Sequence, residues 1–431
     1  MFESVINQIF EKYNGKDFSR KQIINDLFQN DFLKQKFVNE IRRATTVGIL
    51  SNEIFKRLGI QDECKIMAIG DIQYFSDIKE KWLVLVKKSL NEIDSSKLFM
   101  YDMNGQGSDE LSTILYNYMS LYYDFSGVNY DIKSNIIPCY GSTDGLVMIL
   151  DTFRQKYSGK KVNFIFPEAS FMASISIAKS YGFDLVKFDK AEKNNFFISS
   201  EQIKNYYDSK KEGINIYYFT PVGNPTGEKI RNDDLIDLMK YIIEFDRDAV
   251  FILDNVYVGL LKKEVSNKMF SIIFQDKELH DRVIFCESLS KTLGTTGMRL
   301  AWIWTINEEN SGLLKKNIIL KKAGFSKILD QFAINLLSNL EEINNFQQKE
   351  FDFISGQRIN FISFIKENFS EYFVFDSSSS VNDREGIYVL LKLKDGYDAK
   401  SVFAETQIIG VPMTLSDGDY IRYSFGNTNY F

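Results

Sequence analysis

Between residues 161 and 305 short apolar runs alternate with helical periodicities, and this alternation constrains the fold more than any other feature of the chain. "KVNFIF" (161–166) precedes the helical "ASISIAKSYG", and "FDLVKFD" reads as a strand. "INIYYFT" (214–220) is a further strand and leads into the helical "NDDLIDLMKYIIEF". "AVFILD" (249–254), "RVIFCE" (282–287) and "GMRLAWIWT" (297–305) complete the series. Val-, Ile- and Phe-rich runs separated by helices fit strands buried on both faces of a parallel sheet. The expected fold class is α/β, with a mostly parallel central sheet flanked by helices.

The flanks differ in texture. Residues 1 to about 60 read as polar and helical, with "FESVINQIFEKY" and "NDLFQNDFLKQKFVNEIRR" spacing apolar residues at three and four. A helical stretch from about Gly312 to Glu367 leads through "DSSSSVNDREG", read as a loop, to "GIYVLLKL" and "YIRYSFG" around the helical "AKSVFAETQ". This suggests a small α/β domain built from both ends of the chain. The expected division is a helical extension (1–60), a large domain (95–320) and a small domain (61–94 and 321–431). A length of 431 residues suits one large domain with a smaller one.

Several functional classes are disfavoured. The formal net charge of −6 argues against a nucleic-acid footprint, and no apolar run is long enough to span a membrane. The first residues lack the basic and apolar regions of a secretory signal, so a cytoplasmic location is expected. Cys64, Cys139 and Cys286 fit neither a disulfide framework nor a zinc spacing, and reduced, partly buried thiols are expected. No metal site is expected. His280 is the single histidine, set in the polar "QDKELHDR" and expected at the surface. Proton transfer must then rest on lysine, carboxylates or tyrosine.

In open parallel sheets ligands sit beyond the carboxyl ends of the strands. Three such ends carry chemistry: "PVGNPTGE" after 214–220, Asp254 with "NVY", and "SLSK" after 282–287. Asn224, Asp254 and Lys291 are separated by 30 and 37 residues, each about one βαβ unit. A lysine among hydrogen-bond donors can lose its proton and form a Schiff base, and a buried carboxylate can keep a pyridine nitrogen protonated. A phosphate needs N–H groups at a helix start, hydroxyls and a cation. "CYGSTDGLVMIL" (139–150), Ser288, Ser290 and Arg299 can supply them. Structural readings stand beside most of these: Lys291 as a solvated surface charge, Asp254, Ser142 and Thr143 as helix caps, Tyr257 as core, Arg299 as a surface charge and Arg422 as a surface or ion-paired one. Gly-Gln-Gly in "MNGQGSDEL" reads as a turn, without the third glycine of a nucleotide loop.

From about Gly70 to Arg422 the chain resembles the class I/II aminotransferases of the fold-type-I pyridoxal-phosphate (PLP) enzymes, the aspartate aminotransferase superfamily. "GSTDGL", "NPTG", "DNVY" and "SLSKTLGTTGMR" carry the resemblance. One tetrapeptide is a weak signal; four in this order and spacing are specific. The resemblance implies pyridoxal 5'-phosphate as cofactor, with Lys291 forming the Schiff base and moving the substrate's proton. Asp254 would bind the ring nitrogen, and Asn224 and Tyr257 the phenolic oxygen. Ser142, Thr143, Ser288, Ser290 and Arg299 would hold the phosphate. Arg422 would receive the substrate α-carboxylate, with the Gly70 loop nearby. Tyr101 would reach a partner's phosphate in a homodimer.

The chain also departs from its family. Ala169 stands in "FPEASF" where an aromatic usually covers the ring, leaving Phe171 to stack instead. The segment "GVPMTLSDGDYIR" lacks the usual Pro-Gly stretch. The implied activity is ping-pong amino-group transfer between an amino acid and a 2-oxo acid. The alternatives are another PLP reaction (decarboxylase, lyase, cyclase or oxidase) and a PLP-binding regulator without turnover.

Overall fold

The computed structural model describes residues 2–37, 40–61, 63–72, 76–102, 105–126, 128, 131–190, 196–209, 212–261, 271–375 and 385–426. Its α/β architecture matches the class expected from the alternation. The chain divides into two compact units. One comprises Met1–Tyr74, Pro225–Gly227 and Phe353–Phe431; the other comprises Phe75–Asn224 and Glu228–Asp352.

A short strand β1 (Lys65–Ile66) belongs to the first unit. The second unit is built on β2 (Ile137–Cys139), β3 (Val162–Pro167), β4 (Asp184–Phe188), β5 (Ile214–Phe219), β6 (Val250–Asp254), β7 (Val283–Ser288) and β8 (Ala301–Trp304). Among the described residues these form one sheet in the order β2-β8-β7-β6-β5-β3-β4. The neighbours from β7 to β4 all pair parallel, while β8 runs antiparallel to both β7 and β2. Strands β3, β6 and β7 are buried along their whole length, which explains their uninterrupted apolar runs. The edge strand β4 is more open and carries Asp184 and Lys187. Charges on an edge discourage pairing with another chain.

Helix Ser142–Lys156 lies on this sheet. Leu146, Ile149, Leu150 and Phe153 share one helical face and are buried with Ile216, Ile252, Ile284 and Ile303 of the strands. Gly145 permits the close approach, since a Cβ there would stand 2.8 Å from Ile303 Cγ2 and 3.3 Å from Cys286 Sγ. Truncating a buried leucine such as Leu146 to alanine typically costs about 2–5 kcal/mol.

In the first unit the N-terminal helices and the C-terminal strands share one core. Strand β9 (Tyr388–Lys392), β10 (Ile408–Ile409), β11 (Val411–Leu415) and β12 (Gly418–Ser424) follow one another along the chain. Strands β11, β12 and β9 form an antiparallel sheet, and β1 pairs parallel with β10. Helix Arg20–Gln29 starts at Ser19, which makes a capping box with Gln22. Its Phe28 stacks on Phe403 of helix Ala399–Thr406, with ring centroids 5.8 Å apart.

Three sequence expectations need correction or narrowing. His280 is buried, at 4 % exposure. The Asp276 carboxylate caps the short helix Lys277–His280 and turns Leu279 and His280 inward. Burial holds the imidazole below its ordinary pKa, opposed by Asp281 at 3.1 Å from Nδ1. The last large-domain strand begins at Ala301 rather than 297. Thr296–Met298 form a 3-10 turn and Arg299 is left-handed, with φ 57°. All three cysteines are fully rather than partly buried. The "DSSSSVNDREG" loop falls almost wholly on 376–384, outside the described residues. No helix among the described residues is long and apolar enough to cross a membrane.

Candidate active site

Because β5, β6 and β7 are adjacent and parallel, their carboxyl ends share one rim of the sheet. Asp254 is the last residue of β6 and Ser288 the last of β7. Asn224 follows β5 by five residues, in a turn closed by Gly223 N–H to Glu228 O (2.7 Å) and Ile230 N–H to Pro221 O (3.0 Å). It is buried, as are Asp254 and Tyr257. Asn255 N–H donates to Cys286 O at 2.8 Å, extending the ladder one residue past Asp254. Tyr257 then opens the 3-10 turn Val258–Leu260. The strand-end reading of Asp254 therefore holds against the helix-cap reading.

The Asp254 carboxylate is divided in its bonding. Tyr218 Oη donates to Oδ2 at 2.5 Å, while Oδ1 has no hydrogen-bond partner. Burial raises this acid to about pKa 6, against the opposing pull of Tyr218 and the Val256 N–H. At this strand end the orphaned Oδ1 is an acceptor open to a ligand that donates a proton.

Lys291 sits half-buried in the single helical turn Leu289–Thr292, which begins at Ser288. The backbone around it is tied down by hydroxyls. Thr295 Oγ1 donates to Leu289 O (2.9 Å), Thr296 Oγ1 to Ser290 O (3.0 Å), and Thr292 Oγ1 to Ser288 O (3.3 Å). Underneath lies a buried polar layer. Tyr118 Oη donates to Thr292 Oγ1 (3.1 Å), Gln347 Nε2 donates to Tyr118 Oη (2.9 Å), and Tyr122 Oη donates to Gln347. This explains the Ser- and Thr-rich "SLSKTLGTT": its hydroxyls satisfy carbonyls that so short a helix leaves open.

Ser142 and Thr143 occupy the first turn of helix Ser142–Lys156, after an N-cap at Gly141 with φ 89°. The first N–H groups of a helix have no acceptor within it, and the dipole there favours anions. A Cβ at residue 141 would overlap the Arg299 guanidinium, so glycine lets that cation lie across the helix start. Arg299 Nη1 is fixed by Thr296 O at 3.0 Å. Ser288 Oγ accepts from Ser290 N–H (3.0 Å) and lies 2.8 Å from Ser290 Oγ.

Phe171 is the N-cap of helix Met172–Ser180 and packs half-buried against the core, while Ala169 is buried. Tyr101 lies at the surface with Phe99 and Met100, in an exposed apolar run. Gly70 and Arg422 belong to the other unit, where they meet around one side chain. The Arg422 guanidinium stands 4.4 Å from the Tyr388 ring centroid and donates to Ala68 O at 2.8 Å. A Cβ at residue 70 would overlap the Tyr388 hydroxyl. Arg422 is 5 % exposed, which rules out the surface-charge reading.

Tyr218, Gly141 and Tyr388 were not found from the sequence. Gly141 had a signal, a glycine directly before the helix start in "CYGSTDG"; Tyr218 and Tyr388 look like ordinary strand residues. Taken together, the half-buried amine, the buried acid with one oxygen left over, and the helix start crossed by an arginine fit an aromatic aldehyde that carries a ring nitrogen and a phosphate. Pyridoxal 5'-phosphate has those features.

The comparisons with known proteins agree. Residues 67–396 match the model of the family described as aminotransferase class I and II. A probable aspartate aminotransferase of Methanocaldococcus jannaschii is 28 % identical over 196 residues, covering 45 % of this chain and 47 % of that protein. An L-serine phosphate decarboxylase of Campylobacter jejuni is 23 % identical over 185 residues, covering 43 % and 45 %. The matched region thus spans about half the length of these curated relatives. The crystal structure of an aromatic aminotransferase from Pyrococcus horikoshii superposes with a TM-score of 0.69 at 19 % identity, covering 86 % of this chain and 94 % of that one. The same fold and the family match over most of the chain lead to one conclusion: this protein belongs to the class I and II aminotransferase family, whose cofactor is pyridoxal 5'-phosphate.

Proposed function

We propose that the protein is an aminotransferase that moves an amino group from an amino acid to a 2-oxo acid in a ping-pong cycle. The observation that carries this reading is the buried Asp254 carboxylate, with one oxygen lacking a hydrogen-bond partner, on the same sheet rim that leads into Lys291. Bound there, pyridoxal phosphate supplies an electron sink for charge released at the substrate's α-carbon.

The chain's own residues do the rest. Asp254 Oδ1 accepts the ring N–H and keeps that nitrogen protonated. Asn224 and Tyr257 hydrogen-bond the phenolic oxygen. Ser142, Thr143, Ser288, Ser290 and Arg299 grip the phosphate, and Phe171 covers the ring. Lys291 Nζ would hold the aldehyde and, once the substrate's amino group takes that place, would be free to move the proton at the substrate α-carbon. Arg422 receives the α-carboxylate, a planar anion suited to a guanidinium. Gly70 makes room for the hydroxyl of Tyr388, whose ring lies against that guanidinium. The working form is a cytoplasmic homodimer in which Tyr101, set in the exposed Phe99–Tyr101 run, meets the partner's phosphate.

A second reading, decarboxylation of an amino acid, is favoured by the likeness to the L-serine phosphate decarboxylase. One experiment separates the two. Holoenzyme is mixed with a panel of amino acids and with 2-oxoglutarate or pyruvate, and amino-group transfer is followed beside carbon dioxide and ammonia release. Transfer supports the first reading; carbon dioxide release without transfer supports the second, and ammonia release alone supports neither. In either case Lys291→Ala is expected to lower turnover by about 10⁴-fold or more, since it removes both the attachment point and the proton carrier. Full turnover in that variant would end both readings.

A further inference from the structure

We propose that Tyr218 is a positioning residue of the cofactor site, whose hydroxyl claims Oδ2 of Asp254 and so reserves Oδ1 for the cofactor's ring nitrogen. The inference rests on the pyridoxal-phosphate reading and adds a residue that none of the four sequence motifs contains.

The argument begins in the sheet. Strands β5 and β6 pair parallel with Tyr218 opposite Ile252, so Asp254 lies two residues further along the neighbouring strand. Side chains alternate with period two, which puts Tyr218 and Asp254 on the same face as diagonal neighbours. A diagonal cross-strand pair is within reach of an aromatic side chain. The phenol covers the gap and ends 2.5 Å from Oδ2. Both residues are buried.

The bond has one direction. An ionised carboxylate only accepts, so the phenol must donate. Burial, and then the Asp254 charge, push the Tyr218 hydroxyl well above its ordinary pKa, so it keeps its proton. The phenol is also held from behind. The buried Ser174 hydroxyl, which donates to Phe171 O at 2.7 Å, lies against the Tyr218 oxygen. The ring-covering candidate and the ring-nitrogen acid are thus linked through two hydroxyls.

The consequence for the cofactor is electrostatic. Desolvation disfavours the charged form of Asp254, and the Tyr218 bond works against it. Without that bond the proton shared between acid and ring nitrogen moves towards the carboxyl. The ring then becomes a weaker electron sink.

The test is Tyr218→Phe, which keeps the ring and removes the hydroxyl. Wild type and variant are loaded with pyridoxal phosphate labelled with ¹⁵N at the ring nitrogen, and the nitrogen shift is measured. The variant's resonance is expected to move towards the unprotonated pyridine value. Its affinity for pyridoxal phosphate is expected to fall on the order of ten-fold, the loss of one charge-assisted hydrogen bond. With 1-deaza-pyridoxal phosphate, which has no ring nitrogen, the two proteins should bind alike. A structural role alone would weaken both ligands equally and leave the nitrogen shift unmoved, and either result overturns the inference. Tyr218→3-fluorotyrosine, nearly the same shape with a more acidic phenol, keeps the test open should the Phe variant misfold; its resonance should move the opposite way, and an unchanged shift counts against the inference. Wild-type protein that fails to take up pyridoxal phosphate at Lys291 would overturn the cofactor reading itself, whereas uptake with an indifferent Tyr218 overturns only the inference.

Discussion

Asp254 and Glu287 make an instructive pair. They lie on adjacent strands of one sheet, both are buried, and both accept a hydrogen bond from a tyrosine on one oxygen only. Both are raised by burial, Asp254 to about 6 and Glu287 to about 7. They face opposite sides. Asp254 is in register with Cys286, so Glu287, one residue on, points to the other face. There Tyr123 Oη and Trp304 Nε1 both donate to its Oε1 at 2.7 Å, and Phe285 stacks on Trp304 with centroids 4.2 Å apart. Asp254 instead belongs to the rim with Asn224 and Ser288. A perturbed buried acid is therefore not in itself a functional mark. What distinguishes Asp254 is its place as the last residue of β6, on the rim where we propose that the cofactor sits.

The comparison can be broken most sharply through turnover. Asp254→Ala is expected to lower kcat by about 10²–10⁴-fold, the scale of losing a preorganised charge against the reacting group. Glu287→Gln should stay within a few-fold of wild type. Steady-state kinetics on both variants checks this, and equal losses would erase the distinction. Stability should order them the other way. Glu287→Ala removes the acceptor that the Tyr123 hydroxyl and Trp304 N–H share and opens a cavity. A loss of about 3–5 kcal/mol in urea unfolding is expected.

The finest separation is by pH. A carboxyl raised from 4.5 to about 7 keeps its proton in the folded state after the unfolded chain has lost it. Folding stability then falls as pH rises through that window, by on the order of 3 kcal/mol in total. Asp254 adds a similar fall between 3.8 and about 6 in the cofactor-free protein. Loading with pyridoxal phosphate should remove the Asp254 share, because the ring nitrogen's proton stabilises the charged carboxylate. Glu287→Gln should remove the other share, loaded or not. Denaturation midpoints across pH 4 to 8 for the four combinations measure both.

How much of this was legible beforehand follows physical lines. The sheet was visible because strands such as Val250–Asp254 are apolar throughout. The rim was visible because its residues follow those strands directly. Strand β2 was not, since Ile137–Cys139 is three residues long with Pro138 at its centre. Nor was the reversed direction of β8, as an apolar run has no polarity along the chain. The burial of His280 is hidden in the sequence because its charged neighbours stay outside while one capped turn carries it in. Tyr218 and Tyr388 matter through partners 36 and 34 residues away, Asp254 and Arg422. Such pairings depend on register, which a linear reading does not supply.

The threonine-rich loop behind Lys291 has a last consequence. With Thr292, Thr295 and Thr296 lashing the main chain from 288 to 290, the lysine is a jointed arm on a fixed post. Whatever journey its amine makes during a catalytic cycle must come from rotation about its own methylenes. An anchor held in this way narrows the set of points the amine can reach.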